Sequence, residues 1–133
     1  MDIQELYKSA AEFDIPVLAL EIPESGSMSL QTEHRCYIGM DYHVLEDEVS
    51  ERIHLAHELG HCVTGSFYNQ WAALDVRQKH ENRANRWAYR TLVPEDKLEI
   101  AVKNGITAPW ELAEHFGVTE PFLKAAVQYY EQR

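Results

Sequence analysis

The sequence predicts an α+β fold in which helices surround one small sheet. The first indication is an amphipathic pattern over Asp2–Phe13, where apolar residues recur at helical spacing. The second is a set of three short strand-like runs that follows, up to residue 40. The third is a series of helical patterns from residue 46 to residue 132, interrupted by glycine and proline. The C-terminal half is therefore expected to be mostly helical.

The strand-like runs are short and are separated by polar turns. They cover Val17–Ile22, Met28–Gln31 and Arg35–Met40, with turns at 23–26 and 32–34 between them. Short strands joined by tight turns favour a small antiparallel sheet.

Two long helices are expected next, the first over Glu46–Thr64 and the second over His80–Leu92. Gly65 ends the first helix and Pro94 stops the second. The residues between them, Ser66–Arg77, are predicted to form a loop rich in aromatic side chains. Three shorter helices are expected after Pro94, at Glu95–Lys103, Pro109–Phe116 and Glu120–Gln132.

The most informative motif is an HExxH pattern formed by His57, Glu58 and His61. Residues four apart lie on one face of a helix, so both imidazoles can reach one metal ion, with Glu58 beside them to handle a proton from water. The pattern also arises by chance, and the chain has seven histidines. Its surroundings are apolar, however, and burying these groups without partners would be costly. The motif therefore indicates zinc-dependent hydrolysis, most plausibly of a peptide bond.

A third protein ligand is needed, and Glu81 on the next helix is the best candidate. Its face also carries Ala84 and Ala88, which are small enough for the two helices to approach closely. Asn85, one turn later, can accept a hydrogen bond from a ligand histidine and select its tautomer. His80 competes for the ligand position, but its side chain projects about 100° away around the helix. The alternative for Glu81 is a solvated surface charge.

At this point the residues resemble the ImmA/IrrE family of metallo-endopeptidases. The resemblance is carried by Leu55-Ala56-His57-Glu58-Leu59-Gly60-His61, then Glu81-x-x-Ala84-Asn85-x-Trp87-Ala88 and Leu92-Val93-Pro94. It implies a zincin-like fold, with the small sheet packed on the HExxH helix. It further implies Zn²⁺ held by His57, His61 and Glu81, with Glu58 as general base and Asn85 behind a ligand.

The same resemblance suggests a partner. Members of the family are often encoded by prophages and mobile elements, and they inactivate helix-turn-helix repressors by cleavage or otherwise. Zincin architecture also suggests that a sheet edge beside the metal helix binds an extended peptide by strand addition. We expect Arg35–Met40 to supply that strand.

Two further residues are candidates for the cleft. His54 shares the face of His57 and could line the cleft or assist the oxyanion, although a packed histidine is the simpler interpretation. Tyr68, in the aromatic loop, could polarise a substrate carbonyl, although several tyrosines compete for that role and ordinary packing is an equal alternative.

Bulk properties narrow the class of protein. With 133 residues, of which 45% are hydrophobic, the chain is expected to form one domain over 1–133. The sequence contains no run of eighteen apolar residues, so no membrane span is predicted. The formal charge of -10 argues against direct nucleic-acid binding. It would suit a basic partner, although solubility alone would also explain it.

The cysteines and the first residues favour a cytoplasmic location. Residues 1–5 are acidic and polar, unlike a secretion signal. Cys36 and Cys62 are the only cysteines, and we expect both to be reduced thiols. Cys62 follows His61 directly and should point away from the metal.

Three functions are consistent with these patterns. The first is a zinc endopeptidase that cleaves a helix-turn-helix repressor. The second is a non-catalytic regulator that keeps the metallopeptidase fold and inactivates a repressor by binding alone. The third is a DNA-binding protein that uses the helix pair Pro109–Phe116 and Glu120–Gln132, but this pair lacks the basic and amide residues that read bases.

Overall fold

The computed structural model describes residues 1–68 and 71–132. The chain begins with one helix, continues through three short strands and ends in five helices. In chain order the elements are α1 Ile3–Glu12, β1 Val17–Ala19, β2 Ser27–Gln31, β3 Cys36–Met40, α2 Glu48–Thr64, α3 Leu74–Leu92, α4 Glu95–Lys103, α5 Pro109–Phe116 and α6 Glu120–Glu131. The α+β class and the helical C-terminal half are confirmed.

The sheet is mixed, so the prediction of a purely antiparallel sheet is wrong. The strand order is β1-β3-β2, in which β1 runs parallel to β3 and β2 runs antiparallel to it. The turn between β2 and β3 makes the expected hairpin, but β3 then inserts between β2 and β1. Since β1 and β2 already run in opposite directions, the inserted strand is necessarily parallel to one of them.

This order places β3 in the centre and leaves β1 and β2 at the edges, so β3 has no edge available to a peptide. Cys36–Met40 pairs on both sides, whereas the second edge of Ser27–Gln31 pairs with no strand in the described ranges. The expectation that the strand at Arg35–Met40 receives a substrate is therefore wrong. The first strand is also shorter than predicted and ends at Ala19 rather than Ile22.

The helix α2 crosses the sheet and supplies the centre of the core. The Asp47 side chain accepts a 2.7 Å hydrogen bond from the Ser50 backbone N–H, so the helix begins two residues after the predicted Glu46. It ends at Gly65, whose φ of 65° lies in the left-handed region. Its fully buried residues, Leu55, Ala56 and Leu59, join a core that includes Leu6, Ile38, Met40, Leu92 and Leu123.

The helix α3 begins at Leu74, six residues before the predicted start. The backbone N–H of Arg77 already donates to the Ala73 carbonyl at 3.0 Å, so the last part of the predicted Ser66–Arg77 loop is helical. The first turn of α3 buries no apolar face, and Leu74 is 79% exposed. The sequence of this turn therefore lacks the periodicity of apolar residues that indicates a helix. Residues 69–70 of the predicted loop lie outside the described residues.

The two cysteines form a disulfide, so the expectation of reduced thiols is wrong. Cys36 on β3 and Cys62 on α2 lie with their Cα atoms 5.8 Å apart. The expectation rested on cellular compartment, whereas the pairing follows from how α2 packs on the sheet. Cys62 points toward β3 and away from the HExxH face, as predicted. The bond joins residues 26 positions apart. In the chain-entropy description, closing a loop of this length contributes about 3 kcal/mol to the free energy of unfolding.

The C-terminal helices are joined to α2 by a buried arginine. The Arg52 guanidinium donates to the carbonyls of Phe116 and Gly117 at the end of α5. A cation beside the last carbonyls of a helix also suits the helix dipole. Gly117 ends α5 with a φ of 67°, in the left-handed region that favours glycine. Within the described ranges, no helix has the length and apolar content needed to cross a bilayer.

The helices α2 and α3 pack in contact at a glycine. A Cβ atom on Gly60 would lie 2.5 Å from the Ala84 carbonyl oxygen and 3.0 Å from its Cα atom. Both neighbours are backbone atoms of a helix, so they cannot move aside as a flexible side chain could. The close approach predicted from Gly60, Ala84 and Ala88 is thus confirmed, and it sets the distance between the two helices.

The first prediction concerns this contact. We expect Gly60→Ala to lower the free energy of unfolding by roughly 1–3 kcal/mol, because the added methyl forces the helices apart. Chemical denaturation measures the change. The matched control is Gly65→Ala, which has open space around its Cβ and so tests backbone strain alone. Equal stability of Gly60→Ala and the parent protein would contradict the assigned contact.

Candidate metal centre

The convergence of α2 and α3 brings three metal-ligand side chains together. His57 and His61 lie one turn apart on α2, and Glu81 faces them from α3. The ligand atoms that these residues offer all lie within 4.8 Å of one another. Glu81 Oε2 lies 2.6 Å from His61 Nε2 and 3.4 Å from His57 Nε2. Glu81 is therefore turned into the protein and is not a solvated surface charge.

The outer nitrogen of each imidazole is bonded to an oxygen acceptor. His57 Nδ1 lies 2.8 Å from Asn85 Oδ1, and His61 Nδ1 lies 2.5 Å from the Ser66 carbonyl oxygen. Since both partners accept, each Nδ1 carries a proton and donates it. In a neutral imidazole the Nε2 atom then holds a lone pair, and both lone pairs point toward Glu81. This is the tautomer that a metal-ligating histidine needs.

The charge balance at the centre favours a cation. Glu81 Oε2 is buried, and while both rings are neutral with the proton on Nδ1 it receives no hydrogen bond from their Nε2 atoms. Its carboxylate and two imidazole lone pairs face one another, and such an arrangement of acceptors is stable only with a positive charge between them. A proton on His61 meets that need in part. Burial acts against it, but hydrogen bonds to Glu81 and Ser66 outweigh burial and raise the pKa of His61.

The same interactions shift the pKa of the Glu81 carboxyl group in the opposite direction, downward. Hydrogen bonding to His57 and then to His61 lowers the pKa of Glu81 well below its ordinary value. The group is therefore ionised across the range in which proteins work. A divalent cation would replace the shared proton, and two imidazoles with one carboxylate form a ligand set typical of catalytic zinc. The residues thus fit a metal ion.

His80, the competing ligand, is not part of the group. Its ring packs against Tyr68, with ring centroids 6.1 Å apart, and its buried Nδ1 has no hydrogen-bond partner. His80 thus projects away from the group, as expected for the residue next to Glu81 on a helix. Asn85, by contrast, lies where the sequence suggested, behind His57.

Glu58 belongs to a second hydrogen-bonded group. Its Oε2 accepts a 2.8 Å hydrogen bond from Ser27 Oγ, the first residue of β2, and both residues are buried. The same hydroxyl lies 2.7 Å from His54 Nδ1. The one hydroxyl proton goes to the carboxylate, so His54 Nδ1 must be the donor to Ser27. Burial also lowers the pKa of His54, which favours a neutral ring with its proton on Nδ1.

Two adjoining cavities open beside these groups, and they share Ser27, His57, Glu58 and Glu81 as walls. The first, of about 350 Å³, continues to Ile53, Tyr89, Phe122 and Ala125. The second, of about 280 Å³, continues along β2 through Met28 and Ser29 and is closed by Ser66, Phe67 and Tyr68. His54 lines the first cavity and Tyr68 lines the second, so both predicted cleft residues reach the cleft.

The Tyr68 hydroxyl lies 3.5 Å from Glu81 Oε1, at the limit of a hydrogen bond. Burial, followed by the charge of Glu81, raises the pKa of Tyr68, so the phenol keeps its proton. The side chain is 39% exposed and stands over the metal ligands at the mouth of the second cavity.

Sequence reasoning missed two residues of the centre, Ser27 and Ser66. Ser66 acts through its backbone carbonyl, which no residue pattern reveals. The turn at Gly65 could have indicated it, since a left-handed residue reverses the chain and returns the next residue to the last turn of the helix. Ser27 lies 31 residues from Glu58 and reaches it only through the packing of β2 on α2.

A buried HExxH helix with a glutamate from the following helix defines a site of the metallopeptidase type. The match to a family model agrees. Residues 10–127 match Peptidase_M78, described as the IrrE N-terminal-like domain, and the chain belongs to this family. A metallopeptidase-like function follows from this membership. No curated protein and no solved structure matches the chain significantly.

The second prediction concerns the metal. We expect His61→Ala to abolish tight Zn²⁺ binding, and Asn85→Ala to weaken it roughly 10- to 100-fold, because the His57 ring loses the acceptor that orients it. Isothermal titration calorimetry measures both affinities. Asn82→Ala, one turn before Asn85 and exposed, is the matched control. Unaltered zinc affinity in His61→Ala would rule out the assigned ligand set.

Proposed function

We propose that this chain is a zinc-dependent endopeptidase. The single observation that carries the proposal is the lone-pair geometry of His57, His61 and Glu81, with the buried carboxylate of Glu58 in the adjoining cleft. Family membership supports the metallopeptidase class. In the proposed site His57, His61 and Glu81 hold the metal, Asn85 orients His57, and residues 1–133 act as one domain.

Zinc bound by these residues would polarise the scissile carbonyl and make water acidic enough to lose a proton near neutral pH. Glu58 accepts the proton of the attacking water and passes it to the nitrogen of the leaving amine. The phenol of Tyr68 keeps its proton and stands at the mouth of the cleft, where it can donate to the developing oxyanion.

Ser27 and His54 position the general base. The hydroxyl of Ser27 holds one oxygen of Glu58, so the carboxylate presents its other oxygen to the cleft. His54 in turn orients the hydroxyl through Nδ1. His54 thus lines the cleft and acts through Ser27, which differs from a direct role at the oxyanion.

An extended peptide fits the open edge of β2. Met28 and Ser29 of β2 border the cavity that contains His61 and Glu58. Strand addition there would satisfy the unpaired backbone groups of β2 and lay a peptide bond across the metal ligands. This binding mode explains why the proposed substrate is a polypeptide and not a small ester or amide.

We further propose that the substrate is a helix-turn-helix repressor of the phage type, whose inactivation relieves transcriptional repression. Support comes from the resemblance to ImmA/IrrE proteins and from the formal charge of -10, which suits a partner with a basic DNA-binding surface. Such repressors act in the cytoplasm, which would be the location of this chain. The Cys36–Cys62 disulfide is more typical of oxidising compartments, so the thiol state in cells tests the location.

The third prediction tests the activity. We expect Glu58→Gln to lower repressor cleavage by at least about 100-fold, because the amide cannot accept the proton of water. Zinc affinity and thermal stability should stay close to those of the parent, since the amide can still bond Ser27. The measurement is cleavage of a co-expressed neighbouring repressor, followed by mass spectrometry of the fragments. Glu48→Gln, at the start of α2, is the matched control.

The outcomes separate the candidate functions. Full activity in Glu58→Gln would remove Glu58 from the mechanism. The non-catalytic binding function would be favoured if the parent protein and Glu58→Gln inactivate the repressor equally, at a one-to-one ratio and without producing fragments. Salt-dependent binding of duplex DNA by the isolated chain would favour the DNA-binding alternative.

The fourth prediction concerns Ser27. We expect Ser27→Ala to lower kcat roughly 10-fold and to leave KM and zinc affinity nearly unchanged, because it frees the base without altering the metal ligands. Ser27→Thr should restore activity, since it keeps the hydroxyl. Ser50→Ala removes a serine from the exposed start of α2 and serves as the control. A loss of kcat that Thr does not restore would assign Ser27 a purely packing role.

A further inference from the structure

The sheet is covered by the metal helix on one face and carries apolar side chains on the other. Cys36, Ile38 and Met40 of β3 are buried and belong to the core that α2 shares. Successive side chains of a strand point to opposite faces, so Tyr37 and Gly39 belong to the face that is turned away from α2.

The pairing register continues this second face onto both neighbouring strands. Gly39 is paired with Leu18 of β1 and with Met28 of β2. Tyr37 is paired with Leu30 of β2. Residues paired across adjacent strands lie on the same face of a sheet. Leu18, Met28 and Leu30 therefore share the face that is turned away from α2.

A glycine in the central strand lets side chains from both sides meet above it. A Cβ atom on Gly39 would lie 2.6 Å from Leu20 Cδ1, 3.2 Å from Ile22 Cδ1 and 3.2 Å from Met28 Cγ. Side chains that follow β1 and side chains of β2 thus cover position 39, and the apolar surface is continuous across the sheet. We call this surface the outer face, and its members are Leu18, Leu20, Met28, Leu30 and Tyr37 around Gly39.

The outer face is open to solvent. Leu30 is 53% exposed, Leu18 and Leu20 are each 44% exposed, and Met28 is 41% exposed. No member of the outer face is charged, although 26% of the chain is. Single exposed apolar residues are common on proteins, but adjoining ones form a patch of the kind that marks an interaction site.

The size of the outer face limits what can cover it. Strands lie about 4.8 Å apart and rise about 3.3 Å per residue, so the three short strands cover roughly 15 by 17 Å. A stable interface buries about 800 Å² on each partner, which is about three times this footprint. One α-helix is about 10–12 Å wide and spans about 17 Å in roughly eleven residues. The outer face therefore matches one helix of about three turns and is too small to hold two copies of the chain together.

The outer face is continuous with the candidate cleft through one side chain. Met28 belongs to the outer face and also lines the second cavity, together with Glu58, His61 and Glu81. A protein that places a segment in this cavity therefore brings its neighbouring parts next to the outer face. Contacts there add to binding in the cleft, because a tethered segment has a high effective concentration. This continuity indicates the protein substrate as the occupant.

We propose that the outer face is a docking surface for an amphipathic helix of the protein substrate, whose apolar side chains pack on Leu18, Leu20 and Leu30 while the scissile segment lies in the cleft. The proposal rests on the proposed peptidase function and adds to it the kind of substrate, a folded protein that carries such a helix close to the cleaved segment. A helical repressor meets this requirement, whereas a short peptide occupies the cleft alone.

The fifth prediction tests the outer face by kinetics. We expect Leu18→Gln/Leu30→Gln to raise KM for the intact repressor at least about 10-fold and to leave kcat nearly unchanged, because docking is lost and the metal ligands are unaltered. A short peptide that spans the cut site should be cleaved equally by both proteins, since it has no helix to dock. Ile100→Gln/Val102→Gln on α4 is the matched control, because these residues are 57% and 43% exposed.

A second measurement does not depend on cleavage. In zinc-loaded Glu58→Gln, the methyl resonances of Leu18, Leu30 and Val102 are followed by NMR during titration with the intact repressor. The methyl groups of Leu18 and Leu30 should shift in a saturable manner, and those of Val102 should not. This measurement leaves the outer face intact, so it remains decisive if the glutamine substitutions lower stability.

The two measurements separate docking from hydrolysis. An unaltered KM in Leu18→Gln/Leu30→Gln, or the absence of methyl shifts, would overturn the docking surface and leave the peptidase function standing. No cleavage by the parent protein, combined with saturable shifts of Leu18 and Leu30, would overturn the hydrolysis and support the docking surface. Equal losses with the short peptide and the intact repressor would assign the outer face a structural role and overturn docking. A dimer in analytical ultracentrifugation that the double variant dissociates would make a second copy the occupant and overturn the proposal.

Discussion

The metal centre depends on the contact between Gly60 on α2 and the backbone of Ala84 on α3. A single methyl at position 60 would collide with that backbone, so the interhelical distance is set by the absence of a side chain. Glu81 lies one turn before Ala84, and only this close approach lets its carboxylate reach His57 and His61. The geometry of the ligands is thus a consequence of helix packing, which is stiffer than any loop.

Around the ligands, buried polar groups satisfy one another in two separate sets. Asn85 and the Ser66 carbonyl select the tautomers of the two imidazoles, whereas Ser27 and His54 hold Glu58. The sets come from different parts of the fold, namely α3, the turn after α2, and β2. Because both imidazoles and the Glu58 carboxylate are anchored on their outer sides, their inner atoms are free to act on a metal or on water.

The C-terminal helices have two roles that composition alone did not suggest. Arg52 ties the end of α5 to the metal helix, and α6 supplies part of a cavity wall through Phe122 and Ala125. Helices α5 and α6 superficially resemble a helix-turn-helix, but α6 contributes Phe122 and Ala125 to the wall of the cleft. An acidic chain of this kind interacts with nucleic acid poorly, so packing against the site is the better physical account of these helices.

Local pattern was sufficient for most of the helices, for the convergence of His57, His61 and Glu81, and for the position of Asn85 behind His57, because helical periodicity specifies which side chains share a face. Prediction from local pattern failed for features that depend on contacts between distant segments of the chain. The parallel pairing of β1 with β3, the edge position of β2, the Cys36–Cys62 bond and the contact of Ser27 with Glu58 all join residues far apart in the chain. The sequence by itself determined the family, with its metallopeptidase class, and the helical residues that converge at the candidate metal centre. Only the tertiary structure decided which strand lines the cleft, which side chain bonds Glu58 and which helices contribute the cavity walls. These features depend on packing between elements and not on residue spacing within one element.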